Sequence, residues 1–187
     1  MFIMMALSDF GPRICILGPS NSGKSTLAQA IASKTARPLI HLDQLYHLPN
    51  THWQARAEAD FRQLHLDAIA GESWVMDGNY VRTLPDRLTR ASGIILLDLP
   101  PTQSFFRYLR RTLFDAQRIG GVVPSHQREK LTWEMTRYLL ITSRRHRPRN
   151  QRMYAEWTLP KLLLSSSADI NLAYREWGLL SEHPSIP

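Results

Sequence analysis

Apolar and polar positions along the chain predict strands and helices in turn. Short apolar runs, typical of buried parallel strands, occupy residues 13–17, 38–42, 74–77, 94–99 and 162–164. Between them, apolar residues recur at helical spacing over residues 26–34, 57–68, 84–91, 101–113, 131–142 and 167–177. Strands that alternate with helices form a parallel sheet covered on both faces. The pattern therefore predicts a three-layer α/β domain over residues 13–187, preceded by an N-terminal extension over residues 1–12.

Proline and glycine divide this pattern. Pro100-Pro101 follow the fourth strand and open the next helix, and Pro148 is expected to interrupt the helix that begins near residue 131. Residues 120–124, GGVVP, predict a flexible break. Residues 43–53 are polar and aromatic and contain Pro49, so a loop or short irregular segment is expected there.

The side chains near this segment leave their roles open. Tyr46 and Trp53 either line a pocket or pack on the surface. His41, His47 and His52 lack a metal-binding spacing, so we expect loop or pocket side chains there.

A glycine-rich stretch, GPSNSGKS, lies between the first strand and the first helix. It matches the G-x-x-x-x-G-K-[ST] phosphate-binding loop in its expected context of strand, loop and helix. Backbone N–H groups would surround one anion, Lys24 would neutralise the β- and γ-phosphates, and Ser25 would offer its hydroxyl to Mg²⁺. We predict ATP and Mg²⁺ as cofactors. The predicted nucleotide-binding residues are Gly18, Pro19, Ser20, Asn21, Ser22, Gly23, Lys24, Ser25 and Thr26.

Three aspartates are expected at one edge of the sheet. Asp43 follows the second strand, Asp77 ends the third, and Asp98 lies near the end of the fourth. Ligands of parallel sheets bind beyond the carboxyl ends of the strands. Phosphoryl transfer uses carboxylates to hold Mg²⁺ and to orient the attacking hydroxyl. We predict Asp77 as the metal-site carboxylate, with Asp98 as its rival or as a turn-stabilising acid. Asp43 either binds the acceptor or caps a turn.

Composition narrows the functional classes. The chain has 187 residues and one cysteine, Cys15, which excludes an intrachain disulfide framework and suits a reducing cytosol. No apolar run approaches the roughly 20 residues that span a bilayer, so no membrane partner is expected. The apolar start, residues 1–7, lacks the basic residues of a signal peptide. A cytoplasmic protein is predicted.

The net charge of +7 has two explanations. A basic surface attracts nucleic acid, whereas an enzyme that handles triphosphates concentrates arginines around them. The arginines cluster over residues 107–118 and 144–152 and are not interleaved with aromatic side chains that would stack on bases. Nucleic-acid binding thus stays open, but the catalytic explanation is favoured. Some of these arginines would simply lie on a solvated helix face.

The motifs resemble the adenylate-kinase-like P-loop kinases, which include adenylate, shikimate and gluconate kinases. The resemblance rests on the phosphate-binding loop, on VMDGNYVRT, on LLDLP followed by Arg107 and Arg111, and on the glycine-containing insert. HLDQLY, DGNY, LDLP and Arg147-Pro148 resemble the bacterial DNA topology modulation (FlaR-type) branch of this group. The resemblance covers residues 13–149. It implies a five-strand sheet of order 2-3-1-4-5 and a lid, at about residues 115–128, that closes over ATP.

The resemblance also implies roles for single residues. Asp77 matches the Mg²⁺-associated carboxylate, and Asp43 stands where shikimate- and gluconate-type kinases place an acceptor-binding aspartate. Arg111 stands where the lid segment of adenylate kinases begins, at an arginine that lies near the adenine and phosphates. Arg147, with the arginines on either side of it, either reaches the transferred phosphate when the lid closes or lies at a helix end.

These observations predict a Mg-ATP-dependent phosphotransferase that moves the γ-phosphoryl group to a small-molecule acceptor. The catalytic candidates are Lys24, Asp43, Arg111 and Arg147. The alternative is a slow ATPase that acts as a nucleotide-dependent regulator and binds DNA or a protein partner, although the sequence contains no helix-turn-helix or other sequence-reading module.

Overall fold

The computed structural model describes residues 4–51, 53–114 and 143–180. Its strands are β1 (Arg13–Leu17), β2 (Leu39–His41), β3 (Trp74–Asp77), β4 (Gly93–Leu97) and β5 (Lys161–Leu164). Its helices are α1 (Lys24–Thr35), α2 (Leu42–Tyr46), α3 (Glu58–Ile69), α4 (Leu84–Arg90), α5 (Pro101–Phe114), α6 (Ser143–Glu156) and α7 (Ser167–Glu176), preceded by a short 3-10 helix (Leu7–Phe10). The predicted lid, about residues 115–128, lies outside the described residues.

The five strands form one parallel sheet in the order β2-β3-β1-β4-β5, which confirms the predicted topology. β1 lies at its centre, where Ile14 pairs with Val75 of β3 and with Gly93 of β4. The phosphate-binding loop follows this central strand, and β3 and β2 end beside it. The topology therefore brings the predicted site residues to one edge of the sheet.

The side chains of β1 alternate between two apolar layers, because successive residues of a strand point to opposite faces. Ile14 and Ile16 pack with α1 and α7, whereas Cys15 and Leu17 pack with α3 and α4. All four are buried, and Cys15 is fully buried. Helices thus cover both faces of the sheet, as the three-layer prediction requires.

The N-terminal segment packs on the first of these layers. Phe10, at the end of the 3-10 helix, is fully buried and meets Trp177 edge to face, with ring centroids 5.8 Å apart. The Trp177 indole N–H donates to the Met5 carbonyl at 2.9 Å. These contacts connect the two ends of the described chain.

Two predicted boundaries are wrong. β2 ends at His41 and helix α2 begins at Leu42, so Asp43 lies in a short helix and not in an irregular loop. The buried Leu42 side chain and the bond from the His47 N–H to the Asp43 carbonyl, at 3.0 Å, stabilise this turn. Pro148 lies inside α6 and does not interrupt it. A proline lacks only one helical N–H, and contacts from Arg147 and Gln151 to Asp98 hold the helix on either side.

In the described part of the chain, no helix has the length and apolar character needed to cross a membrane.

Candidate functional site

The phosphate-binding loop depends on backbone conformations that glycine allows. Gly18 has φ 143° and Gly23 has φ 96°, both unfavourable for other residues. A Cβ atom at Gly18 would lie 2.4 Å from the Leu97 carbonyl oxygen, so the loop packs directly against the end of β4. Gly23 leads into α1, whose first residue is Lys24. The loop therefore ends at a helix N-terminus, where N–H groups and the helix dipole favour an anion.

Lys24 and Ser25 extend from the first turn of α1. The Lys24 ammonium donates to the Pro19 carbonyl at 2.9 Å and so crosses the loop. The Ser25 hydroxyl donates to Oδ2 of Asp77 at 2.6 Å. The structure therefore brings together Ser25 and Asp77, the two residues predicted for the metal site.

Asp77 is a buried carboxylate with several stabilising neighbours. It lies between Ile16 of β1 and His41 of β2 in the sheet register, and its Oδ1 contacts Nδ1 of His41. Burial raises the pKa of Asp77, but hydrogen bonds from His41 and Ser25 and the charges of His41 and Lys24 outweigh burial, so the pKa lies below its ordinary value. Asp77 is therefore ionised at neutral pH.

The residues present fit Mg²⁺. Mg²⁺ prefers oxygen ligands, keeps several waters, and is commonly held by one or two protein groups together with substrate phosphates. The Ser25 hydroxyl and the ionised Asp77 carboxylate supply such oxygens beside the phosphate-binding loop. Among the described residues, no group of three or more His, Cys, Asp or Glu could enclose a metal ion. An ion here would thus depend on the nucleotide for further ligands.

Asp43 lies in α2, two residues beyond His41, and the Tyr80 hydroxyl donates to its Oδ1 at 2.8 Å. The Tyr80 ring belongs to a group of contacting aromatic side chains. The Tyr46 ring lies 5.0 Å from that of Tyr80, and the His47 ring lies 5.1 Å from that of Trp53, between centroids. We call this group, with Phe61, the aromatic cluster.

The backbone beside the aromatic cluster is strained. Trp53 has φ 59° and Tyr80 has φ 31°, which bulky residues rarely adopt. Such outliers persist only where surrounding contacts hold them, and they concentrate at functional sites. An antiparallel bridge between His47 and Ala55 fixes the segment that carries Trp53. Asp43, which binds Tyr80 of this cluster, is itself half-exposed.

The loop that follows β3, residues 78–80, contacts both parts of the site. Oδ1 of Asn79 accepts the N–H of Gly18 at 2.9 Å, and the next residue, Tyr80, holds Asp43. The fully buried Arg87 of α4 donates to the carbonyls of Gly78 and Asn79 at 2.8 and 2.7 Å. This loop therefore runs from Asp77, the last residue of β3, to Tyr80 of the aromatic cluster.

Asp98 was expected as a rival metal-site carboxylate or as a turn-stabilising acid, and in the structure its carboxylate binds two side chains of helix α6. Its buried carboxylate accepts two hydrogen bonds from Nε of Arg147, both at 3.0 Å, and one from Gln151 at 2.7 Å. Asp98 therefore anchors helix α6 to the end of β4. Arg147, predicted as catalytic, is engaged by this carboxylate.

Arg111 is in α5, but its side chain lies outside the described residues. Arg82, which follows the Asp-Gly pair, is exposed and pairs with Glu58 at 3.0 Å.

Sequence reasoning missed the roles of His41, Asn79, Tyr80 and Arg87. His41 of β2 is the register partner of Asp77, and the side-chain alternation of β2 could have placed it there. Asn79 and Tyr80 directly follow the Asp77-Gly78 pair at the end of β3, and polar side chains at a strand end were a signal for them. Nothing in the spacing of Arg87 distinguishes it from the exposed arginines of the chain.

In fold, the chain is similar to solved kinase structures. It matches shikimate kinase from Acinetobacter baumannii in complex with shikimate at a TM-score of 0.55 and 17% identity, over 90% of this chain and 92% of that one. It matches shikimate kinase from Bacteroides thetaiotaomicron at a TM-score of 0.53 and 19% identity, over 88% of this chain and 94% of that one. It also matches a gluconokinase from Sinorhizobium meliloti 1021 at a TM-score of 0.52 and 19% identity, over 90% of this chain and 93% of that one.

These likenesses show that the chain has the P-loop kinase fold. No protein-family model matches the chain, and no curated protein matches its sequence. The resemblance to the FlaR-type branch stays a prediction.

Proposed function

We propose that this protein is a Mg²⁺-dependent phosphotransferase that moves the γ-phosphoryl group of ATP to a small molecule bound beside Asp43. The observation that carries the proposal is the bond from Ser25 to Asp77 at the end of a phosphate-binding loop. Two oxygen atoms that could bind Mg²⁺ would thus lie beside the phosphates of a loop-bound triphosphate, which supports the proposal.

The residues of the candidate site have separate roles in this mechanism. The loop N–H groups and Lys24 bind the phosphates and stabilise the charge that develops as the bond to the β-phosphate breaks. Ser25 and Asp77 would hold Mg²⁺, which when bound neutralises phosphate charge. Asp43 orients the acceptor hydroxyl and accepts its proton as the oxygen attacks the γ-phosphorus and ADP leaves.

The acceptor side of the proposal rests on Asp43 and the aromatic cluster. A half-exposed carboxylate accepts hydrogen bonds from hydroxyl groups, and aromatic faces pack against the apolar face of a ring. Arg111, Arg147 and the segment of residues 115–128 are proposed to close over the nucleotide and exclude water. For Arg147 to take part, its guanidinium would have to leave the Asp98 carboxylate and bind a phosphate of the nucleotide instead.

Transfer of labelled γ-phosphate to individual metabolites tests the proposal. The full-length protein is incubated with Mg²⁺, γ-labelled ATP and one candidate at a time, in parallel with Lys24→Ala. The expected result is a labelled product with at least one hydroxyl-bearing metabolite, formed by the wild type and not by the variant. If ATP binds but no metabolite is labelled and ATP loss is unchanged by every candidate, phosphotransferase activity is rejected.

The net charge of +7 supports a second candidate, a slow ATPase that acts as a nucleotide-dependent regulator and binds DNA or a protein partner, as the resemblance to the FlaR-type branch implies. Duplex DNA binding that weakens steeply with salt, measured near physiological salt, would support it. Stimulation of ATP consumption by one small molecule would support the kinase.

A further inference from the structure

Arg87 occupies an environment that is costly for a charged side chain. It is fully buried, and in the part of the chain that the structure describes it forms no salt bridge. Its Nε atom is buried without a hydrogen-bond partner. Burying a guanidinium without a paired carboxylate destabilises the folded state, and an apolar side chain of similar size would avoid that cost. The residue therefore needs an explanation other than stability.

The two carbonyl groups that Arg87 binds belong to residues 78 and 79, in the loop after β3. From this short loop, Asn79 binds the N–H of Gly18, and Tyr80 binds Asp43. The left-handed φ of Tyr80, 31°, requires such restraint, because a tyrosine in a free loop would leave this conformation. Arg87 thus restrains the backbone whose side chains contact both the phosphate-binding loop and the acceptor-side carboxylate.

We infer that Arg87 is a positioning residue that holds the phosphate-binding loop and Asp43 in one arrangement through residues 78–80. The inference rests on the proposed function for the meaning of the two sites. Arg87 itself forms no hydrogen bond with Gly18 or Asp43. Its effect passes through two backbone hydrogen bonds to the two side chains that do.

Helix α4 also supplies a matched control. Arg90, three residues after Arg87, donates to the backbone carbonyls of Ile69 and Ala70, at 3.4 and 3.1 Å. Arg87 and Arg90 are therefore arginines of one helix that bind two carbonyl groups each. Only Arg87 binds the loop between the two sites.

The experiment compares Arg87→Lys, Arg87→Gln and Arg90→Lys with the wild type. The first readout is amide hydrogen exchange at Gly18 without nucleotide, and the second is the dissociation constant of a non-hydrolysable ATP analogue with Mg²⁺. Both Arg87 variants keep a donor but cannot bind both carbonyls in the same way. We expect faster exchange at Gly18 and roughly fivefold to tenfold weaker analogue binding, as for the loss of about one hydrogen bond. Arg90→Lys is expected to match the wild type in both readouts.

Each outcome decides the inference. Folded Arg87 variants with wild-type exchange at Gly18 and wild-type analogue affinity would overturn it, and so would equal losses in Arg90→Lys. If neither Arg87 variant folds while Arg90→Lys does, Arg87 is a core residue and the positioning role is rejected. A wild type that does not bind the analogue would instead remove the proposed function, while the Gly18 exchange would still test the restraint.

Discussion

The Ser25 hydroxyl and the Asp77 carboxylate are joined by a hydrogen bond of 2.6 Å, although 52 residues separate them in sequence. Ser25 comes from the first turn of α1 and Asp77 from the last position of β3. Parallel pairing of β3 with the central strand β1 brings the two elements together. The contact therefore follows from the strand order, and it joins the end of β3 to the helix that begins at the phosphate-binding loop.

Lys24→Ala is expected to lower turnover by about 10²-fold or more, because the ammonium stabilises charge that grows as the phosphoryl group leaves. The fold should persist, since Lys24 is half-exposed and its described bond is to one loop carbonyl. Steady-state rates with a thermal melt would check both parts. Undiminished transfer in this variant would contradict the mechanism.

Asp77→Asn is expected to raise the Mg²⁺ concentration needed for nucleotide-dependent behaviour, because an amide cannot supply the carboxylate charge. Titration of Mg²⁺ at fixed ATP analogue, followed calorimetrically, measures this shift. Ser25→Ala is the companion variant and should shift the titration in the same direction. Identical Mg²⁺ titrations for both variants and the wild type would exclude this metal site.

Asp43→Asn is expected to leave ATP affinity nearly unchanged and to cut phosphoryl transfer by about 10²–10⁴-fold if Asp43 acts as the general base. Tyr80→Phe removes only the hydroxyl that binds Asp43 and should give a smaller loss of transfer. Single-turnover transfer and analogue binding, measured side by side, distinguish these effects. Full activity of Asp43→Asn would end the assignment of the acceptor site.

The stability of the protein is expected to fall as the pH drops from about 6.5 to about 4. His65 is fully buried with neither ring nitrogen bonded, and burial together with the charge of Arg87 lowers its pKa to about 4, partly offset by Asp86. The unfolded chain therefore binds a proton in this range that the folded protein does not. The effect corresponds to at most about 3 kcal/mol of unfolding free energy.

His65→Leu should flatten this dependence, because leucine does not titrate. Urea unfolding at pH 4.5 and 7 measures it, with Gln63→Leu, at an exposed position of the same helix, as the control. A slope in His65→Leu as steep as in the wild type would contradict the assignment to His65. The lowered pKa of Asp77 acts in a separate range, since stability from an ionised carboxylate is lost only as the pH falls below about 4.

The alternation of strands and helices and the phosphate-binding loop could be predicted because they depend on local patterns, whereas the strand order was an expectation from the resemblance to adenylate-kinase-like kinases. Five apolar runs separated by helical spacing leave few parallel topologies, and GPSNSGKS specifies its own backbone. The convergence of Ser25 with Asp77 followed from the rule for strand ends. These features need only residue types and their order along the chain.

The remaining contacts depend on which side chain meets which across the fold. The burial of Arg87, the pairing of Asp98 with Arg147, and the helical position of Asp43 are set by tertiary packing. An arginine in an amphipathic helix is exposed in most proteins, so nothing in the pattern around Arg87 indicates its burial. Pro148 likewise lies in a helix because contacts on both sides outweigh the missing hydrogen bond.

Because of its position, Cys15 can report the opening of the sheet through its reaction with thiol reagents. It is the single cysteine of the chain, fully buried in the central strand, and burial raises the pKa of its thiol to about 11, with the charge of Arg87 opposing this. At pH 8 roughly one thiol in a thousand would be ionised, so thiol reagents find neither access nor thiolate in the folded state. Alkylation should therefore proceed at the frequency with which the sheet opens at its centre. Mass spectrometry of one added label would count those openings without a dye, an engineered site or a known substrate.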